Sequence, residues 1–219
     1  MTELERVGSE KLRTAYALHG ASGSYFGVSP AQFKRFKKKI GTDQRLALEL
    51  WNSNNIDAQM LATMIVDLKT IDEILIDEWI KKIHYYALAD EFVGNVVVPS
   101  PFANIKMLQW MRSNEEYIKR CGYTILAHMA GVTDSLTDDE FIQHLHVIGR
   151  EIQMMENRAR QAMYDALIAI GKRNKLLNME AMIVASQTGP VYIEHGEKKL
   201  KATHAMEILA DKKLRESLS

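Results

Sequence analysis

The chain of 219 residues has one cysteine, four prolines and no net charge. A single thiol, Cys121, excludes an internal disulfide framework and a cysteine-rich zinc site. Only 12 glycines accompany the prolines, which excludes collagen-like and Pro-rich low-complexity material. The 28 basic and 28 acidic side chains cancel, so a nucleic-acid role must come from local charge. No apolar run nears the roughly 18 residues that a membrane span needs. Met1 to Glu10 is charged and lacks an apolar stretch, unlike a secretory signal. These absences lead us to expect a soluble, cytoplasmic, monomeric protein without membrane contact. With 47% hydrophobic and 26% charged residues, the composition is globular.

Helical periodicity dominates. Glu3 to Leu18 reads as one short helix, followed by the polar loop His19-Gly-Ala-Ser-Gly-Ser, which lacks the Gly-Lys-Ser/Thr of a P-loop. Residues 1–29 thus form an N-terminal helix and flexible loop within a single domain spanning 1–219. Ser29 caps and Pro30 opens the next helix. Apolar residues then recur at spacings of three and four: Met60, Leu61, Met64, Ile65; Ile74, Ile76, Trp79, Ile80; Ile105, Leu108, Trp110, Met111; Leu176, Met179, Met182. Thr137 and Glu140 make a capping box. The strand-like Pro190-Val-Tyr-Ile, within 188–200, reads as a small hairpin or a loop.

Helices of this length with short connections are antiparallel pairs. Arg120 and Arg160 lie forty residues apart in similar basic-then-small contexts, a period that suits HEAT-type solenoids and is equally consistent with a helical bundle. Basic residues cluster at Lys34, Arg35, Lys37, Lys38 and Lys39, at Arg158, Arg160, Lys172, Arg173 and Lys175, and at Lys198, Lys199 and Lys201. Acidic residues concentrate at Asp72, Glu73, Asp77 and Glu78 and at Asp134, Asp138, Asp139 and Glu140. A curved stack with its basic clusters on one face would follow a phosphate backbone; scattered, they would be solvated helix faces. The seven histidines show no metal-ligand spacing, and His144 and His146, two apart, do not share a helix face. Trp51, Trp79, Trp110 and Cys121 suit core packing.

Several segments occur in a telling order: Tyr25-Phe-Gly-Val28, Leu50-Trp51, Asp57-Ala-Gln59-Met-Leu61-Ala62, Trp79-Ile80, Tyr86-Ala-Leu-Ala-Asp90, Glu116-Tyr-Ile-Lys119-Arg120 and Ile170-Gly-Lys-Arg-Asn174. Over roughly 25–210 this resembles the DNA alkylation repair enzyme family, the AlkD-like DNA glycosylases built from HEAT-like repeats. The resemblance implies an all-α solenoid, or superhelix, of HEAT-like antiparallel helix pairs. It also implies excision of cationic N3- or N7-alkylated purines from double-stranded DNA, with no cofactor. By the same resemblance Asp90 is the catalytic carboxylate, Tyr86 packs the lesion nucleotide and Arg120 holds a backbone phosphate. Lys119, Arg158, Arg160, Lys172 and Arg173 are candidate DNA contacts, and no residue is assigned to a metal.

Three positions depart from the family pattern. Tyr86 stands where the family has Trp, Asp165 or its neighbour Tyr164 where it has a second Trp, and Gln59 where it has Arg. These departures make a weakly active or inactive DNA-binding paralogue the alternative to an active glycosylase, and the zero net charge with the acidic clusters adds an α-solenoid scaffold for a protein partner.

Overall fold

A computed structural model describes residues 1–132, 136–195, 198–201 and 205–218; the acidic Asp134 lies outside them. The chain divides into two compact units, Met1–Lys106 and Met107–Ser219.

The N-terminal unit opens with α1 (Thr2–Val7) and α2 (Glu10–Leu18), two helices where the periodicity suggests one. The interruption is Gly8, whose Cα lies so close to the Phe26 carbonyl that any side chain would collide with it. The amide of Ser9 donates to the Gly27 carbonyl at 3.0 Å, and the Ser9 hydroxyl caps α2. Then follow α3 (Pro30–Ile40), α4 (Gln44–Asn52), α5 (Ile56–Ile65), α6 (Glu73–Ile80) and α7 (Tyr86–Phe92). Ser29 caps α3, with Pro30 in its first turn, as expected.

Apart from Asp57, Gln59 and Thr63, helix α5 is apolar, which suits a core helix. It is buried along nearly its whole length, packed against α3, α4 and α7. Next to it Trp51 stacks on Trp79, ring centroids 4.1 Å apart and planes within 6°, and Phe92 closes the cluster. Helix α7 runs directly into a π-helical turn, Val93–Val97, where the Val98 amide reaches back five residues to the Val93 carbonyl at 2.9 Å. Lys106 is fully buried, its ammonium 2.8 Å from Glu73 and 2.7 Å from Asp77, one turn apart on α6.

The boundary between units falls within α8 (Ala103–Met111). The C-terminal unit continues with α9 (Glu116–Ala130), α10 (Asp138–Glu151), α11 (Asn157–Gly171) and α12 (Lys175–Thr188). Helix α9 packs against α11 and α10 against α12, so two consecutive pairs stack as two layers. The forty-residue period therefore separates equivalent helices, α9 and α11. Gly122 permits the approach of α9 to the end of α8, since a Cβ there would sit 2.5 Å from the Met111 amide nitrogen. The capping box at Thr137 and Glu140 is present.

Strand β1 (Tyr192–His195) pairs antiparallel with β2 (Lys198–Lys201), Tyr192 opposite Lys201. Short helices α13 (Ala205–Leu209) and α14 (Lys212–Ser217) follow.

Candidate nucleic-acid interface

Tyr86 and Asp90 lie one turn apart on α7 and are both half-buried, so they share a partly open face. Tyr86 belongs to a row of rings. Its centroid is 5.0 Å from that of Tyr85, edge-on, and 6.2 Å from that of His19. Tyr85 lies 5.4 Å from Tyr16, and Tyr16 lies 5.8 Å from Tyr25. Tyr85 is buried and anchors the row; Tyr16, Tyr25, Tyr86 and His19 keep part of their surface open. Behind α7, Asn95 of the π turn donates to Thr63 Oγ1 at 3.1 Å and to Glu91 at 2.7 Å, tying the turn to α5.

The residue that organises this face is Asp57, to which the sequence pattern assigned no role. It is 0% exposed. Its Oδ2 accepts the amides of Phe26 at 2.6 Å and Gly27 at 3.0 Å, and its Oδ1 accepts the Val28 amide at 2.8 Å and the Tyr16 hydroxyl at 3.4 Å. One carboxylate thus holds the Tyr25–Val28 segment against α5 and orients Tyr16. Burial first, and then the Asp57 charge, push the Tyr16 hydroxyl well above the ordinary phenol range. A signal for Asp57 was available: a carboxylate in an otherwise apolar helix needs several donors to be tolerated there. Gln59, in the same motif, is also buried, its Nε2 donating to the Trp51 carbonyl at 3.4 Å.

The candidate residues of the C-terminal unit are arranged differently from the expectation. Arg120, expected on a phosphate, is 3% exposed, and its Nη1 donates to the Arg158 carbonyl at 3.0 Å and to Gln161 Oε1 at 3.4 Å. Arg158 is buried too; its Nη1 meets the same Gln161 oxygen at 3.2 Å, and its amide donates to Glu116 Oε1 at 2.5 Å. These four side chains cross-link α9 and α11. Tyr117 stands beside them; burial raises its hydroxyl pKa, Glu116 adds to the rise, and Arg158 and Arg120 oppose it.

Arg160 donates to the Tyr192 carbonyl at 3.1 Å and the Met155 carbonyl at 2.6 Å. Arg173 donates to the carbonyls of Ala130 and Val132, at 3.1 and 2.8 Å, and lies over the Phe141 ring. Lys119 is half-buried and lines a cavity of about 430 Å³ with Arg112, Tyr123, His144 and Glu151. Lys172 is exposed at the turn between α11 and α12, Asp165 is exposed on α11, and Tyr164 is buried. The arginines act mainly as carbonyl ties, which a one-dimensional count of positive charge cannot reveal. Exposed cations without an ion pair among the described residues are instead found on α3, at Lys34, Arg35 and Lys38.

Chemically, the α7 face offers a carboxylate able to stabilise positive charge and an aromatic face beside it. Among the described residues no group of three His, Cys, Asp or Glu side chains could hold a metal, and no helix is long and apolar enough to cross a membrane.

Comparison with known proteins agrees with the architecture. Residues 1–207 match the family model described as DNA alkylation repair enzyme. An uncharacterized protein of Listeria innocua serovar 6a is 22% identical over 210 residues, 94% of this chain and 92% of that protein. A solved structure described as "A new family of proteins related to the HEAT-like repeat DNA glycosylases with affinity for branched DNA structures" matches with a TM-score of 0.87 and 27% identity. It covers 96% of this chain and 90% of that one. The expected all-α fold of HEAT-like helix pairs is therefore the fold observed.

Proposed function

The chain belongs to the DNA alkylation repair enzyme family, and on that premise we propose that it is a DNA-binding protein that prefers branched duplexes to linear ones. The observation that carries this reading is the likeness, across nearly the whole chain, to a structure described as having affinity for branched DNA. The site geometry supports it: Arg120 and Arg158 are buried in protein contacts, while Lys34, Arg35, Lys38 and Lys172 are exposed cations suited to phosphate contact.

The test is fluorescence anisotropy with a four-way junction and a linear duplex of the same sequence, across a salt series. Tighter junction binding that falls steeply with salt is expected, with further weakening in the Lys34→Ala/Arg35→Ala/Lys38→Ala variant. Equal affinity for both DNAs removes the preference for branches, and a flat salt response removes the phosphate-contact model.

A second reading, excision of N3- or N7-alkylated purines, is favoured by Tyr86 and Asp90 sharing one half-open face of α7. A cationic base leaves with the electron pair of its bond to the sugar, and the sugar becomes electron-poor. Asp90 would stabilise that charge and orient the attacking water. The π face of Tyr86 would hold the cationic base, an interaction worth about 0.5–2 kcal/mol. Arg120 and Arg158 then serve as positioning residues that brace α9 against α11, rather than as direct phosphate ligands. Release of 7-methylguanine from alkylated duplex by the wild type and not by Asp90→Asn is the expected result; equal release by both excludes Asp90 from the chemistry.

A further inference from the structure

The N-terminal unit contains a cleft of about 350 Å³ that the reading above does not use. Ser22 and Gly23 form one side, Asn54 and Ile56 at the start of α5 another, and Lys81, Lys82 and His84 the third. The glycine–serine loop is not loose here. The Ser24 carbonyl accepts the Ile56 amide at 2.9 Å and the Ser24 hydroxyl accepts Asn55 Nδ2 at 2.9 Å, pinning the loop beside α5. Gly23 has φ +85° with open space around its missing Cβ, so backbone conformation selects glycine and leaves the rim uncrowded.

The electrostatics of the cleft point one way. No carboxylate lines it. Lys81 and His84 are exposed and have no ion pair among the described residues, and Lys82 is steered to the rim by a 3.1 Å bond to Asn52 Oδ1. The floor has another character: Ile56, Tyr85 and Leu88 are buried and apolar. One polar group interrupts it. Gln59 is 3% exposed; one of its amide hydrogens goes to Trp51, and its Oε1 has no partner among the described residues. Gln59 lines the cleft, so its side-chain oxygen can accept from a donor on a ligand.

A cationic rim, an apolar floor and one side-chain amide in that floor match a phosphate attached to a flat, weakly polar group bearing an N–H. A peptide would instead place main-chain amides and carbonyls on the apolar floor with too few partners. We propose that this cleft binds a phosphorylated nucleoside, either free or as the phosphate-bearing end of a DNA strand. Lys81 and Lys82 engage the phosphate as point charges, His84 borders it, the base lies over Tyr85 and Leu88, and Gln59 Oε1 accepts from the edge of the base. The strand-end form rests on the DNA-binding reading; the free-nucleotide form does not.

The experiment uses the full-length protein and the Lys81→Ala/Lys82→Ala variant, both substitutions being at exposed positions. One arm measures affinity for a flap duplex whose single-stranded 5′ end carries a phosphate or a hydroxyl. The other follows the His84 ring resonances by NMR during titration with adenosine 5′-monophosphate or adenosine. The site predicts about tenfold tighter binding of the phosphorylated flap, lost in the variant, or saturable His84 shifts with the monophosphate alone, also lost in the variant. The first outcome assigns the strand end and the second the free nucleotide. No phosphate dependence in either arm, or dependence that survives in the variant, overturns the proposal. Failure to bind any branched DNA overturns the DNA reading instead, and the nucleotide titration still decides the cleft.

Discussion

Replacing Asp57 by Asn tests how the N-terminal loop is held. The carboxylate accepts four hydrogen bonds, two on each oxygen, and is inaccessible to water. An asparagine keeps the shape and offers one oxygen. Whichever way the amide is turned, its NH2 group faces two donors: the Phe26 and Gly27 amides, or the Val28 amide and the Tyr16 hydroxyl. Two charge-assisted bonds are lost, each worth about 1.5–3 kcal/mol, and the remaining two weaken with the loss of charge. A cost of about 3–6 kcal/mol follows, a large part of the roughly 5–15 kcal/mol that holds a domain folded. Because the damage is local, amide hydrogen exchange at Phe26, Gly27 and Val28 is the sharpest assay. Their protection should fall by about a hundredfold or more, while Leu145 and Ile148 in the C-terminal unit keep theirs. Unchanged protection at residues 26–28 would refute the clamp. A loss of stability with those amides still protected would show that Asp57 acts through something other than the loop.

Lys106→Met should cost less than Lys106→Ala. Methionine fills the space of the buried stem, whereas alanine leaves a cavity beside two unpaired carboxylates, a loss of about 2–3 kcal/mol measured by urea unfolding. Burial alone would lower the Lys106 pKa, but Asp77 and Glu73 outweigh it and the net shift is upward. Its stabilising contribution is accordingly complete at neutral pH and lost only as pH rises beyond the ordinary lysine value; a urea midpoint insensitive to Lys106→Met at pH 7 would contradict this. Burial lowers the pKa of His144, partly opposed by Glu140. The folded state prefers the neutral ring, so stability should decline as pH falls below the ordinary histidine value, and His144→Asn should remove that part of the acid-side decline in a urea series from pH 8 to 5. Gly122→Ala should destabilise the C-terminal unit by about 1–3 kcal/mol, since the new methyl meets the backbone of Met111; an unchanged melting temperature would show that α8 and α9 separate easily.

Helix positions were largely legible because capping and periodicity are local. Ser29 with Pro30 and Thr137 with Glu140 mark helix starts where they are observed. The buried faces were less legible. Ile74, Ile105, Leu108, Leu176 and Met179 fit the apolar spacing yet are exposed, because α6, α8 and α12 turn Ile76 and Trp79, Met107 and Trp110, and Leu177 and Ala181 inward instead. An apolar stripe specifies a helix; which edge of the stripe is covered depends on the neighbouring helix. The break at Gly8 was invisible for the same reason, since the atom that forbids a side chain there belongs to Phe26, far along the chain.

The candidate site divides along the same line. Tyr86 and Asp90 share a face because four residues make about one helical turn, and sequence alone determines that. Whether an arginine meets solvent or a carbonyl depends on what lies opposite. Arg120 faces Arg158 and Gln161 and is withdrawn from the open surface, while the half-buried Arg173 is tied to the end of α9. Sequence by itself determined most of the helices and their order, the family and the pairing of residues within a turn, since each depends on neighbours a few positions away. Tertiary structure alone decided that Asp57 clamps the Tyr25–Val28 loop, that the arginines are ties, and that Lys81, Lys82 and Gln59 border one cleft. Those outcomes require partners distant in the chain, and burial changes what a charge does only after packing has removed the water.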